Sequence, residues 1–256
     1  MEHLCYEARD GVARLTLDRP DIRNALSFEL VQDLLRRIAE AASDTSVRLL
    51  LLRSEGPAFC AGMDLKSIDL GDSGQASGFA RAVSDLYYAL LTLPKPFLCA
   101  VDGPVSGGGV GLPAAADLVW AGPRASFVLP ETRLGLVPAL VSVVVRRRVG
   151  DGTLKRMALG GISLDAERAV EHGLADFLAE GSASETADEF ARELLRDHAP
   201  GALARTKRFL SRRAGAGLEA ELSEARREFE DAVGSDEARR GLDAFRRKES
   251  VRWDGA

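Results

Sequence analysis

Three consecutive glycines, Gly107, Gly108 and Gly109, stand between an apolar run at 96–101 and a small-residue segment at 112–117. The run reads as a strand and the segment as a short helix, so the glycines occupy a strand-to-helix turn. Glycine there tolerates positive φ and lets the backbone approach a ligand closely. The first N–H groups of a helix have no partner within it, and they favour negative charge. Such a turn can hold an anion, or an oxygen on which negative charge develops. No Lys-Ser/Thr pair follows the glycines, as a P-loop would require. They also lie mid-chain, whereas a dinucleotide fingerprint belongs at the first strand–helix turn. Two readings stay open: a plain packing turn, or an anion hole for a carbonyl such as that of a thioester. The second needs another donor from elsewhere, and the loop at 54–65, Ser-Glu-Gly-Pro-Ala-Phe-Cys-Ala-Gly-Met-Asp-Leu, is the candidate for it.

Alternating strands and helices must position these loops. Residues 12–17 alternate apolar and polar, as a strand does. Ser27 is placed to cap a helix whose apolar positions Leu30, Val31, Leu34, Leu35 and Ile38 recur at helical spacing. The aliphatic run at 47–52 fits a strand buried on both faces. Residues 69–78 are small and polar and predict a mobile lid, followed by a helix to about Leu93 that Pro94 and Pro96 end. After the glycine turn come short strands at 118–121 and 125–128, an irregular segment at 129–138 and a helix over 139–149. Beyond Gly150 the pattern predicts helices at 151–160, 165–172, 184–198, 200–213, 217–233 and 235–249, with one strand at 174–178. Strands alternating with helices, then helices alone, indicate an α/β core at 1–199 and a helical C-terminal region at 200–256.

The chain has 256 residues, 46% of them hydrophobic, which suits one sizeable core. A net charge of −5 argues against a nucleic-acid surface. The basic runs at 146–148 and 246–248 read as solvated helix faces, or as receptors for the phosphates of a small anionic ligand. Cys5, Cys60 and Cys99 are odd in number and far apart, which indicates reduced thiols and no zinc spacing. The N-terminus lacks the basic start and apolar core of a signal peptide. No apolar run reaches membrane-spanning length, so a cytoplasmic protein without a membrane partner is expected.

Further motifs occur in a fixed order. Asp18-Arg19-Pro20 with Asn24-Ala25-Leu26 comes first, then Phe59-Cys60-Ala61-Gly62-Met63-Asp64-Leu65. The stretch 103–109 with Ala116-Asp117 follows, then Pro130-Glu131-Thr132-Arg133-Leu134-Gly135-Leu136-Val137-Pro138. Ser235-Asp236-Glu237-Ala238 and the segment 241–248 come last. Together they span nearly the whole chain and resemble the successive motifs of the crotonase family, the enoyl-CoA hydratase/isomerase superfamily. The resemblance implies an α/β fold, a crotonase-like ββα spiral core with a helical C-terminal trimerisation region, and hence a homotrimer or hexamer. It implies an acyl-CoA or acyl-carrier-protein thioester as substrate, with coenzyme A entering as part of that substrate and no metal or other cofactor. The implied oxyanion hole consists of the N–H groups of Met63 and Gly108, with Gly107 beside the substrate. The carbonyl of Ala61 would meet the adenine amino group. Arg23 and Lys66 would flank the CoA channel, against the alternative of plain surface charges. Phe245 and Lys248 would reach a neighbouring subunit's nucleotide.

Hydratases of this family commonly use two glutamates, one two residues beyond the glycine triplet and one in the Pro-Glu motif. Here the first position is Gly111, and Glu131 alone remains. Beside apolar Leu129, Leu134 and Leu136, Glu131 is expected to have a raised pKa and to act as acid and base in turn, unless it pairs with Arg133. The leading reading is an enoyl-CoA hydratase/dehydratase moving water across C2–C3. The aliphatic segment 134–145 resembles the branched, methylglutaconyl type. The alternatives are a Δ3,Δ2-enoyl-CoA isomerase working through the single glutamate, and a non-catalytic thioester binder. Asp64 and Asp117 are expected to fix loops rather than catalyse.

Overall fold

The computed structural model of the protein describes residues 4–68, 72–215, 217–249, 251 and 253. Its strands are β1 (Leu4–Arg9), β2 (Val12–Leu17), β3 (Leu49–Ser54), β4 (Phe97–Val101), β5 (Pro104–Ser106), β6 (Leu118–Ala121), β7 (Ser126–Val128), β8 (Leu164–Asp165) and β9 (Phe177–Leu178). Six of them form the main sheet in the order β1-β2-β3-β4-β6-β9, parallel except for the β1–β2 hairpin. β5, β7 and β8 form a second, smaller sheet. The helices are α1 (Phe28–Ser43), α2 (Ser73–Thr92), α3 (Gly111–Ala114), α4 (Ala139–Gly160), α5 (Ala166–Glu171), α6 (Ala183–Asp197), α7 (Pro200–Gly215), α8 (Leu218–Val233) and α9 (Asp236–Arg247). The expected α/β core and helical C-terminal region are both present.

Period-two alternation splits the buried strands between two apolar layers. Leu49 and Leu51 of β3, with Leu98, Ala100 and Trp120, face α6, where Ala183, Ala187 and Ala191 recur at helical spacing and let helix and sheet approach closely. Leu50, Leu52, Cys99, Val101 and Val119 face the other way into the larger core. That core also takes Leu222, Ala225 and Phe229 of α8, so the C-terminal helices share the interior of the sheet.

Several elements differ from expectation, each for a local reason. β1 carries little alternation because only Leu4 of the strand is buried; it is the edge of the sheet. The lid expected at 69–78 is helical from Ser73. Asp72 accepts from the N–H groups of Gly74 (2.8 Å) and Gln75 (3.3 Å), and the first turns bury Ala76, Phe79 and Ala80. Its first residues, 69–71, lie outside the described residues. The helix expected at 112–117 stops at Ala114, because Asp117 is held by β4: its N–H donates to Phe97 O (2.7 Å) and its carboxylate accepts from Phe97 N (2.7 Å). The strand expected at 174–178 shrinks to two residues, since Leu174 and Ala175 donate to Ala169 O and close α5 instead. Gly150, at φ 68° and ψ 172°, breaks α4 into the two expected runs.

Candidate active site

The loop after β3 is held by a side chain far from it in sequence. Asn24 is fully buried, and its Nδ2 donates to Glu55 O and Ala58 O, both at 2.9 Å, while Oδ1 accepts from Arg19 N–H at 2.7 Å. Two isolated parallel bridges then set the loop's register. Cys60 pairs with Val105 and Met63 pairs with Leu26. Leu26 N–H donates to Gly62 O (2.7 Å) and Leu26 O accepts from Asp64 N–H (2.9 Å). A residue flanked in this way turns its own N–H toward the opposite edge, so the N–H of Met63 faces away from Leu26.

The glycine turn meets this loop backbone to backbone. A Cβ on Gly62, whose φ is 85°, would lie 2.8 Å from Ser106 O, so only glycine allows the approach. Gly107 is likewise left-handed at φ 54°, and a Cβ there would lie 3.1 Å from Oε1 of Glu131. Residues Gly107–Val110 form a 3-10 turn that leads directly into α3, with Gly108 in its first turn. The N–H of Gly108 therefore precedes the first intrahelical hydrogen bond and has no helical acceptor.

Glu131 opens the short 3-10 turn Glu131–Leu134 that follows β7. α9 holds this turn from behind: a Cβ on Gly241 would lie 2.1 Å from Leu134 O. Arg133, considered above as a partner for Glu131, donates instead to Gly161 O at 3.1 Å. Oε2 of Glu131 is buried with no hydrogen-bond partner. Burial pushes the carboxyl from its ordinary 4.5 up to about 7, with a smaller opposing contribution from its own backbone N–H.

These segments enclose a cavity of about 170 Å³. Ala61, Met63, Gly107, Gly108, Glu131 and Phe245 all line it, so six of the residues singled out by the sequence come together. Arg23, Lys66 and Lys248 are exposed and lie outside its lining. Arg23 acts through its backbone, whose carbonyl accepts from Ala61 N–H at 2.9 Å. Lys248 closes α9 in a left-handed conformation three residues after Phe245. Asp64 and Asp117 fix loops, as expected: Asp64 accepts from Lys66 N–H (3.3 Å), and Asp117 is bound by Lys207 (2.6 Å) as well as by β4.

Sequence reasoning missed Tyr87, Ser106 and Phe229 on the cavity wall. Tyr87 belongs to the apolar stripe of α2, and its fully buried hydroxyl donates to Gly108 O at 2.5 Å. Burial, and then the nearby Cys60 and Glu131, push its phenol well above the usual 10, which keeps it a donor. A signal for it existed in the glycine at 111, where a side chain was expected. The wall is otherwise apolar. Among the described lining residues Glu131 is the one carboxylate, and no Lys, Arg or His appears. No group of His, Cys, Asp and Glu suited to a metal ion occurs among the described residues, and no helix there is long and apolar enough to cross a membrane.

The sequence profile of the enoyl-CoA hydratase/isomerase family matches residues 7–256. The chain is 31% identical to the 2,3-dehydroadipyl-CoA hydratase of Escherichia coli K12 over 257 residues, covering 100% of each chain. It is also 31% identical to the 1,2-epoxyphenylacetyl-CoA isomerase of that organism over 262 residues, covering 100% of this chain and 99% of the relative. The crystal structure of an enoyl-CoA hydratase from Mycobacterium avium superposes with a TM-score of 0.89 at 34% identity, covering 99% of this chain and 100% of the other.

Proposed function

The chain belongs to the enoyl-CoA hydratase/isomerase family, and from that membership we propose that it shifts the double bond of an apolar 3-enoyl-CoA to the 2-position with Glu131 as the sole acid–base group. The observation that carries this reading is the solitude of Glu131: one carboxylate with an unpartnered oxygen, in a cavity lined among the described residues by no other acid and by no Lys, Arg or His.

The N–H groups of Met63 and Gly108 receive the thioester oxygen. The Glu131 carboxylate takes a proton from C2, and the electron pair passes through C1 onto that oxygen, giving a dienolate in which the C3–C4 double bond is conjugated with the new C1–C2 one. The protonated Glu131 then returns the proton to C4, leaving the double bond at C2–C3 and the carboxylate as it began. A pKa of about 7 suits a group that must first accept and then donate at neutral pH. Two preorganised donors supply the charge stabilisation, with each such donor worth about 3 kcal/mol in a water-excluded site.

Hydration needs a further group to hold and orient water beside Glu131. Of the hydroxyls on the described wall, that of Tyr87 is engaged with Gly108 O, which leaves Ser106. A methylglutaconyl chain would bring its own carboxylate, and among the described residues no cation lines the cavity to meet it. Both points favour isomerisation of an apolar chain. Ala61 would receive the adenine at the mouth, with Arg23, Lys66 and Lys248 outside the wall for the phosphates. Phe209 and Leu210 of α7, 71% and 67% exposed, support an assembly of copies, a trimer or hexamer, through the C-terminal helices.

Incubation with straight 2-enoyl, 3-enoyl and 3-methylglutaconyl-CoA, read by liquid chromatography and mass spectrometry, tests the reading. Unchanged mass with shifted retention on the 3-enoyl substrate is the expected result. A gain of one water by either 2-enoyl substrate would replace it with the hydratase reading. Binding with no conversion of any substrate would leave a thioester binder.

A further inference from the structure

The space above Gly111 is filled by a side chain from another element. A Cβ on Gly111 would lie 2.4 Å from both Cε1 and Cζ of Tyr87 and 2.5 Å from its hydroxyl oxygen. The obstacle is an aromatic ring with no solvent-exposed surface, seated between the buried face of α2 and the cavity, so a side chain at 111 could enter only by displacing the ring. With the Tyr87 ring where it stands, position 111 has no space for a side chain. The hydroxyl at the end of the same ring binds Gly108 O, which also accepts from Gly111 N–H. A carbonyl held by two donors fixes the peptide that follows Gly108. The Gly108 N–H lies in the preceding peptide, so that hold pins one flank of Gly108 and removes part of the freedom that three glycines would otherwise give the turn.

We propose that Tyr87 is the specificity-determining and positioning residue of this site: its ring takes the place of a second carboxylate at 111, and its hydroxyl aims the Gly108 N–H at the substrate oxygen. The proposal rests on the reading that Glu131 and the Gly108 N–H act on one thioester. It goes beyond that reading by assigning the choice of reaction to a residue on a helix remote in sequence from both. With Tyr87 in place there is volume for one acid–base group, and the proton must leave and return through Glu131. With a small residue at 87, position 111 could carry a carboxylate able to orient water.

Two measurements separate this inference from the reading beneath it. The first is the carbonyl stretch of hexanoyl-CoA, 13C-labelled at the thioester and unable to isomerise, bound to wild type, Tyr87→Phe and Glu131→Gln. The oxyanion donors move the band to lower frequency in wild type and in Glu131→Gln, whereas Tyr87→Phe loses a large part of that displacement. On the 3-enoyl substrate kcat falls at least tenfold in Tyr87→Phe while KM changes less than threefold, a split that mere loosening of the fold would not give. Wild-type carbonyl displacement and wild-type kcat in Tyr87→Phe would overturn the positioning role. Undiminished turnover in Glu131→Gln would instead overturn the one-carboxylate reading.

The second measurement compares Gly111→Glu with the double variant Tyr87→Ala/Gly111→Glu. The single variant is expected to be unstable or inactive because of the collision. The double variant should bind hexanoyl-CoA and add water to 2-hexenoyl-CoA at a rate at least tenfold above wild type. A double variant that binds the thioester but adds water no faster than wild type would refute the assignment of reaction choice to Tyr87.

Discussion

Replacing Glu131 by Gln should change stability in a pH-dependent way that can be worked out from its surroundings. The carboxyl titrates at about 7 in the folded chain against an ordinary 4.5, because ionisation would place a charge in an apolar cavity. Below pH 4.5 both folded and unfolded chains hold the proton, and the group's contribution to stability is fully present. As pH rises from 4.5 to 7 the unfolded chain releases the proton while the folded one keeps it, so stability is lost across that window; above 7 the loss is complete. At roughly 1.4 kcal/mol for each tenfold change in proton affinity, the loss is about 3 kcal/mol. Gln has no proton to release, so Glu131→Gln escapes this loss. Urea unfolding of the two proteins at pH 4 and pH 8 isolates the contribution, since every other titrating group is common to both. The stability of Glu131→Gln relative to wild type should increase by about 3 kcal/mol between the two pH values. A difference that stays constant within about 1 kcal/mol would refute the claim that Glu131 is desolvated and unpaired.

The rate should follow the same titration: kcat/KM for the 3-enoyl substrate rises with pH to a plateau with its midpoint near 7, because only the carboxylate takes the C2 proton, and a flat profile from pH 6 to 8 would contradict this. Gly241→Ala should lift α9 from the Glu131 turn, since its Cβ would fall 2.1 Å from Leu134 O; turnover is expected to drop at least tenfold with a lowered melting temperature, and wild-type turnover would remove α9 from the site's support. Asp117→Asn keeps an acceptor for Phe97 N–H but unpairs Lys207, which is 7% exposed, and should cost about 3 kcal/mol in urea unfolding. Asp72→Ala removes the N-cap of α2 and should cost about 1 kcal/mol in the same assay.

What the sequence disclosed depended on how far apart the interacting residues lie. The Ser27 cap and the apolar stripe of α1 are local, and the helix runs as they predict, with Ser27 Oγ accepting from Leu30 N–H. The aliphatic run near 50 was legible because burial on both faces leaves a continuous signature, although pairing moves the strand to Leu49–Ser54. The six motif residues that meet at the cavity were legible because each stands in a short, distinctive local pattern, whereas Arg23, Lys66 and Lys248 lie outside its lining. Tyr87 carried no such pattern. It looks like any apolar residue of an amphipathic helix until the glycine turn, 21 residues on, is folded against it. The docking of Gly241 on Leu134 spans a still longer separation and is equally silent in periodicity. The polar stretch before α2 misled because composition there resembles a loop, while a single carboxylate cap and three buried small or aromatic residues suffice to make a helix.

The same reasoning explains how a chain can keep an unpaired carboxyl in an apolar cavity. Leaving Glu131 Oε2 without a partner is unfavourable, by about 1–3 kcal/mol for a buried polar group. A more stable arrangement would bring a donor to it, and Arg133 is close in sequence; yet its guanidinium is bound to Gly161 O. Three glycines keep the rest of the neighbourhood from rearranging to meet the carboxyl. Gly62 seats the Met63 loop on Ser106 O and Gly241 fixes α9 against the Glu131 turn, both at separations no Cβ would allow, while Gly107, left-handed at φ 54°, faces Glu131 without a side chain. The backbone is thus packed closely behind the carboxyl, and Oε2 is left facing the cavity wall without a donor. The cost is concentrated on the one group whose chemistry requires an intermediate pKa, and the surrounding core supplies the stability that tolerates it.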